Sequence, residues 1–408
     1  QHLIATPIVS KSSTAPRFKN KPPIAGFLTT AHFLIIAPSF NNKTIRNIGG
    51  DMKNNKAKLL AVAVAMGMSV QASAAIELYN QDNTTFAVDG LFNAFYVNTD
   101  DDTAGDSNRV RMGFLPNWIG FNVTKQMDDL KLGGRSSFWV TINDGTNNVT
   151  DTAIDVRQFY GTVDGDFGQV LFGKDFGLYA RTNIFSDELL LGTGLPMPTT
   201  GGVTFGNISI GYPYATPNAQ ITYRSPVSNG FQLAVGILDP DNGEGANRVT
   251  LNRNSDKARF EGELTYATDF DGGKFNAWIG AASGESIEDG GSVEGVAFGA
   301  RVNMGGFQLT ASGFDQEGIS SVLADRTVGS NVESDGYLVQ ASYSANGHRI
   351  VLSHGETDTN AASENELDSI AYFYNVNSNL ILVAEYDMYD SSANNDTDQF
   401  AIGAVITY

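Results

Sequence analysis

Every second residue of the last nine belongs to one apolar parity: Phe400, Ile402, Ala404, Ile406 and Tyr408, interleaved with Ala401, Gly403, Val405 and Thr407. Successive side chains of an extended strand point to opposite faces, so this is a ribbon with one oily side and one plainer side. The pattern recurs along the chain. Leu130, Leu132, Phe138, Val140 and Ile142 oppose Lys131, Arg135, Ser137 and Thr141; Phe231, Leu233, Val235 and Ile237 oppose Gln232, Ala234 and Gly236. Leu380, Leu382, Ala384, Tyr386 and Met388 oppose Glu385, Asp387 and Tyr389. Period-two alternation predicts strands with one apolar face, and about sixteen such segments run from 84–98 and 108–125 to 379–390 and 397–408.

The connections carry more information than the count. Asp164-Gly165-Asp166, Asn229-Gly230, Gly272-Gly273, Gly305-Gly306, Asn346-Gly347 and Asn377-Ser378-Asn379 are tight-turn sequences. They alternate with long polar loops at 99–107, 144–151, 240–256, 285–291, 317–334, 357–365 and 391–396. A soluble sheet protein would bury its apolar faces between two sheets and give turn lengths no reason to alternate by end. Short turns at one end and long loops at the other predict an all-β, transmembrane antiparallel barrel of about sixteen strands. Tyr96, Tyr266, Tyr343, Tyr386 and Tyr408 lie near strand ends, as interfacial belts require. A barrel of this size encloses an aqueous lumen, which makes solute passage the default expectation.

The N-terminal segment agrees. Lys53, Lys56 and Lys58 precede an apolar run from Leu59 to Val70 and the small residues Ala72-Ser73-Ala74. That run is shorter than the roughly 20 residues a spanning helix needs, so 52–74 reads as a signal peptide cut after Ala74. Residues 1–51 are basic and patternless, and read as an upstream extension before a start at Met52; a long pre-sequence is the alternative. Without 1–74, which holds nine Lys/Arg and one Asp, the 334 residues 75–408 carry 17 basic and 44 acidic side chains, net near −27. Nucleic acid and anionic lipid headgroups are therefore unfavourable partners. The chain has no cysteine, which excludes disulfides, thiolate metal sites and a lipoprotein anchor.

Over essentially all of 75–408 the chain resembles the general diffusion porins of Gram-negative bacteria. The resemblance rests on Ile119-Gly120-Phe121, Arg157-Gln158-Phe159-Tyr160-Gly161, Gly168-Gln169-Val170-Leu171-Phe172-Gly173-Lys174, Ala219 to Pro226 and Asn229-Gly230-Phe231, taken together in order and spacing. It implies a homotrimer in the outer membrane, among lipid and lipopolysaccharide, inserted by the barrel-assembly machinery that reads an aromatic C-terminus. Most such chains end in Phe, and this one ends in Tyr408. It also implies that the loop after the fifth strand, here 178–216, folds into the barrel and constricts it. That loop contains Leu189, Leu190, Leu191, Leu195, Pro196 and Met197, too apolar for a tail in water.

A constriction sets acidic groups on such a loop against basic groups on the wall, so that small hydrophilic solutes and ions cross a transverse field. Asp187 stands where the family loop carries an acid, with Glu188 beside it, and Arg157 stands at a wall-arginine position. Arg135 and Arg157 are both placed inward, on the polar parity of the third and fourth strands, Arg135 mainly on that ground. The enteric Pro-Glu-Phe-Gly motif is absent; Leu190-Leu191-Gly192-Thr193-Gly194 stands there, and Leu91 replaces a frequent basic residue. With Glu261, Glu263, Glu385 and Asp387 as further lumen acids, mild cation preference is expected. A substrate-specific channel is the alternative. No cofactor is implied. Residues 75–408 contain only His348 and His354, and neither sits where a barrel hydrolase would place its base. Asp239 to Glu244 lacks the spacing of a calcium loop. N-terminal sequencing of the purified protein should read Ala75-Ile76-Glu77; a start anywhere earlier would contradict the cleavage assignment.

Overall fold

The computed structural model describes residues 75–143, 154–196, 206–239, 257–286, 288–324, 326–360, 364–392 and 396–408. The expectations for 1–74, for Met197 and for the loops 144–151 and 240–256 lie outside them. The strands are β1 (Ile76–Gln81), β2 (Thr84–Asp101), β3 (Gly105–Arg111), β4 (Asn117–Met127), β5 (Leu130–Val140) and β6 (Ile154–Gly165). They continue through β7 (Gly168–Phe176), β8 (Pro217–Arg224), β9 (Phe231–Leu238), β10 (Arg259–Phe270), β11 (Gly273–Glu285) and β12 (Ser292–Met304). The last are β13 (Phe307–Glu317), β14 (Glu333–Ala345), β15 (His348–Thr359), β16 (Glu364–Asn375), β17 (Leu380–Ser391) and β18 (Thr397–Thr407).

Sequence neighbours pair antiparallel, and β18 returns to pair with β2, Thr407 opposite Leu91, which closes the ring. β3 and β4 both pair with β2 and are two pieces of one wall strand, while β1 pairs with β2 beyond the end of β18. The wall therefore has sixteen strands, as the alternation predicts. The single strand expected over 108–125 is interrupted at 112–116. Pro116 has no N–H for the ladder, and side chains replace the missing bonds. Met112 N donates to Asn143 Oδ1 (2.9 Å), Gly113 N to Asn93 Oδ1 (2.6 Å), and Asn93 Nδ2 to the Leu115 carbonyl (2.7 Å).

Asn229-Gly230, Gly305-Gly306 and Asn346-Gly347 each place both residues at positive φ, from 50° to 88°. That is the backbone a two-residue hairpin needs to match strand twist. The apolar parity faces outward all round: Ile119, Phe172, Ile221, Leu233, Ile279, Leu309, Leu352, Leu382 and Ile402 are all exposed. The hydrophobic core lies inside the ring instead. It joins wall residues Leu91, Phe95, Trp139, Leu338 and Phe373 to Ile184, Phe185, Leu189 and Tyr212 from the connection between β7 and β8.

At the long-loop end the outward face turns acidic. Asp315 stands opposite Asp335, Glu356 opposite Glu366, Glu366 opposite Asp390, Asp398 opposite Asp100, and Asp100 opposite Asp106. Like charges directly across a strand pair repel, and hydrocarbon would magnify the cost. This row therefore marks the end of the apolar band. Ile402→Arg, in the middle of β18, should destabilise the folded barrel by about 2–4 kcal/mol, whereas Asp398→Arg at the acidic row should cost about 1 kcal/mol or less. Urea unfolding in detergent or lipid vesicles measures both; equal effects would refute the assignment of the band.

Candidate functional site

The connection 177–216, of which 197–205 lie outside the described residues, turns into the barrel. Its two ends meet where Gly177 N donates to the Thr216 carbonyl at 3.4 Å. A five-residue helix, α1 (Arg181–Phe185), begins it, a feature the unpatterned sequence does not predict.

Two wall glutamates hold this loop in the same way. Glu261 on β10 accepts from Leu178 N (2.7 Å) and Tyr179 N (2.8 Å). Glu385 on β17 accepts from Thr193 N (2.9 Å) and Gly194 N (2.7 Å). Each clasp has a glycine beside it. A Cβ on Gly177 would lie 2.9 Å from Glu261 Oε2, and one on Gly192 would lie 1.8 Å from Glu385 Oε2. Nearby, Asp387 accepts from Thr193 Oγ1 (3.3 Å) and Gln399 Nε2 (3.1 Å), and Glu263 accepts from Thr182 N (3.2 Å). The break in the second wall strand completes the seat, because Phe114 N donates to the Gly192 carbonyl at 2.8 Å.

The loop's own acids point into the opposite side of the same seam. Asp187 accepts from Leu189 N (2.9 Å), Gln340 Nε2 (2.7 Å), Asn207 Nδ2 (3.0 Å) and Tyr212 Oη (2.5 Å). Burial and the adjoining Asp187 carboxylate push the Tyr212 phenol well above its ordinary pKa, so it remains a donor. Glu188, its side chain only 1% exposed, accepts from Thr310 Oγ1 (3.0 Å), Ser342 Oγ (3.2 Å), Gln308 Nε2 and Arg349 Nη1 (3.1 Å). Arg301 stands 4.0 Å away, and Arg349 stacks 4.1 Å over the Phe373 ring. A cavity of ≈ 680 Å³ opens from the short turns at Gly272, Gly305 and Asn346 up to Asp187, Glu188, Arg301 and Arg349.

Arg135 and Arg157 both lie inside, on the third and fourth wall strands, far round the ring from β12 to β15. Arg135 pairs with Asp89 at 2.6 Å and donates to Gln158 (2.7 Å) and Asn122 (2.8 Å). Gly120 makes the room: a Cβ there would meet Asp89 Oδ1 at 2.4 Å and Arg135 Nη2 at 2.8 Å. Arg157 reaches the lumen by a different route from the expected one. Phe159, with which it shares parity, is 64% exposed on the outside. Ser137 pairs with Gln158 and Phe138 with Val156, so Arg157 is the extra residue of a β-bulge. The bulge re-aims its side chain, which donates to Asp155 (2.8 Å) and Tyr214 Oη (3.0 Å) and lies 4.9 Å over the Trp139 ring.

The structure thus places Asp187, Glu188, Arg135 and Arg157 within the barrel but does not join the acidic pair to the basic pair. The acids are matched by Arg301 and Arg349, which the sequence reading passes over although both share the inward parity. Glu261, Glu263, Glu385 and Asp387, read as lumen acids, are anchors of the loop. Gly177 and Gly192, each immediately before a pair of donated N–H groups, are the sequence signal that marks the clasps. His354 faces outward, 3.0 Å from Asp368 and 3.2 Å from Tyr337 Oη.

A family model described as Gram-negative porin matches residues 61–394. Outer membrane porin C of Enterobacter cloacae is 28% identical over 184 residues, 45% of each chain. Outer membrane protein U of Vibrio parahaemolyticus is 31% identical over 144 residues, 33% of this chain and 39% of that one. The chain spans less than half the length of these curated relatives. Among solved structures, an anion-selective porin from Comamonas acidovorans superposes with a TM-score of 0.61 at 17% identity, over 80% of this chain and 100% of that chain.

Glu385→Ala should free two buried N–H donors, each hydrogen bond to the carboxylate being worth about 1.5–3 kcal/mol. Gly192→Ala should act similarly by displacing the carboxylate. The expected result is protease cleavage within 186–196 while the barrel stays folded on gels; a loop as resistant as the native one would refute the clasp.

Proposed function

The chain belongs to the Gram-negative porin family, and on that premise we propose that it is an outer-membrane channel through which small hydrophilic solutes and ions diffuse passively, with mild cation preference. One observation carries the reading: a ring closed by strand pairing, apolar outside, holds an inward-folded loop on wall carboxylates. Such a ring has no open sheet edge and satisfies its backbone internally, as a lipid-spanning sheet must. A cavity below Asp187 and Glu188 that opens towards the short turns supports a lumen which the loop narrows and does not fill.

Solutes pass between the loop and the Arg135–Arg157 side of the wall, where paired charges orient dipolar solutes and the remaining width limits size. The excess of acid in 75–408 favours cations at the mouths. The signal peptide is removed on export by cleavage after Ala74, two residues before Ile76, where β1 begins, and the chain assembles as a homotrimer, as its family resemblance implies. The acidic outward row lies at the rim of the apolar band on the long-loop side, and Tyr408, packed edge-on at 6.1 Å against Phe92, presents the aromatic end to the assembly machinery.

In a planar bilayer the purified protein should open in large steps, in groups of three, with a reversal potential showing weak cation preference. Absence of conductance, or saturation by one solute at low concentration, would reject general diffusion in favour of no channel or a substrate-specific one. Glu188→Gln leaves Arg301 and Arg349 without their carboxylate, so the reversal potential should move towards anions; an unmoved potential would remove Glu188 from any role in ion preference.

A further inference from the structure

We infer that the outer loop between β13 and β14, residues 318–332 (325 lies outside the described residues), is a second constriction element: it docks permanently on the infolded loop, so two loops set the channel's size limit together. The inference rests on the diffusion-channel reading.

An ordinary outer loop is polar and lies over the surface. This one buries Ile319 and Ala324, 1% and 2% exposed, in a cluster with Tyr179 and Ala180 of the infolded loop and with Ala282, Val293, Ala297 and Phe314 of the inner wall. Leu323 packs against the main core inside the barrel. The segment keeps its own shape through Val328 N to the Gly318 carbonyl (2.9 Å) and Ser320 N to the Arg326 carbonyl (3.0 Å).

Three sets of bonds fasten it. At the inner end Tyr214 N donates to the Val322 carbonyl (3.0 Å) and Ala324 N to the Tyr214 carbonyl (2.9 Å), a parallel bridge that pairs Tyr214 with Leu323. Tyr214 belongs to the returning arm of the infolded loop and already accepts from Arg157 at 3.0 Å. In the middle, Arg259 donates to the Ala324 carbonyl and stands 3.1 Å from Glu261, the carboxylate that holds Leu178 and Tyr179. Tyr179 Oη donates to Gln316, whose Nε2 donates to the Ile319 carbonyl, each at 3.0 Å. At the outer end Asp289 accepts from Ser330 N (2.8 Å) and Oγ (3.0 Å), and Ser286 Oγ donates to the Val328 carbonyl (2.8 Å). Backbone N–H groups of Gly291 and Ser330 hold the Asp289 carboxyl down to about 2, from an ordinary 3.8. The stabilisation from this clasp is present above the ordinary value and is lost only as pH falls through about 2.

The strap therefore starts on the eleventh and twelfth wall strands and ends beside the sixth, filling the mouth above β10, β11 and β12. Its backbone meets the infolded loop at Tyr214, next to the bulged Arg157, so whatever passes that arginine also passes the strap.

The native chain has no cysteine, which makes a cross-link clean. Tyr214→Cys with Leu323→Cys should form a disulfide on oxidation in vesicles, read as altered gel mobility, and the oxidised channel should conduct as its reduced form does. A pair that fails to cross-link, or a conductance that drops on oxidation, would overturn permanent docking. Shortening the strap by replacing 320–329 with two glycines should raise single-channel conductance and admit larger sugars in a liposome-swelling assay. A native channel whose conductance and sugar limit are unchanged by the shortening would overturn the second constriction alone. A protein that conducts neither as native nor as shortened chain would overturn the diffusion-channel reading itself.

Discussion

A carboxylate in the barrel wall accepting two successive backbone N–H groups of the infolded loop is the interaction on which the interior depends. Glu261 does this at the start of the loop and Glu385 near its turn back. A buried carboxylate is costly unless fully hydrogen-bonded, and so is an irregular loop whose N–H groups have left water. Each deficit satisfies the other. The bonds are charge-assisted and hence stronger than bonds between neutral groups. They also need close approach of backbone to carboxylate, which Gly177 and Gly192 allow by carrying no Cβ.

Once the loop is inside, the distribution of apolar surface follows. The outward parity meets lipid, which leaves a wide ring with no partner for inward residues such as Trp139, Leu338 and Phe373. The loop's leucines and phenylalanine supply that partner, so the core forms between wall and loop rather than between two sheets. The same reasoning covers the strap 318–332, whose Ile319 and Ala324 extend the interior with a second cluster. The cavity that remains below the loop is bounded by Glu188 with Arg301 and Arg349, and Asp89 pairs with Arg135 on a distant part of the wall.

Much of the scaffold was legible in the residue order. Alternation marked the wall strands, and Asn-Gly and Gly-Gly pairs marked hairpins whose positive φ values the structure bears out. The site was legible only in part. Parity placed Arg135 inward correctly. For Arg157 the same rule, counted from Phe159, would point the side chain at lipid; one inserted residue opposite Ser137 and Phe138 reverses it. No local pattern announces that bulge. Pro116, which cannot join the ladder, stands in the break of the second wall strand, and that break is where Gly192 of the loop is received.

Asp187 and Glu188 illustrate the boundary between the two kinds of information. Their acidity and their place in an apolar loop are properties of the chain, and so are the strand count, the outward apolar face, the end at which the turns are short and the absence of cysteine. These follow from periodicity and composition, which act residue by residue. Whether a carboxylate faces open water, an arginine or a row of N–H groups depends on which strands the closed ring brings opposite the loop, across up to 194 residues of sequence separation. Ring closure and loop docking are long-range events, so only the tertiary structure decided that Glu261 and Glu385 are clasps, that Glu188 answers Arg349 rather than Arg135, and that an outer loop packs on the infolded one.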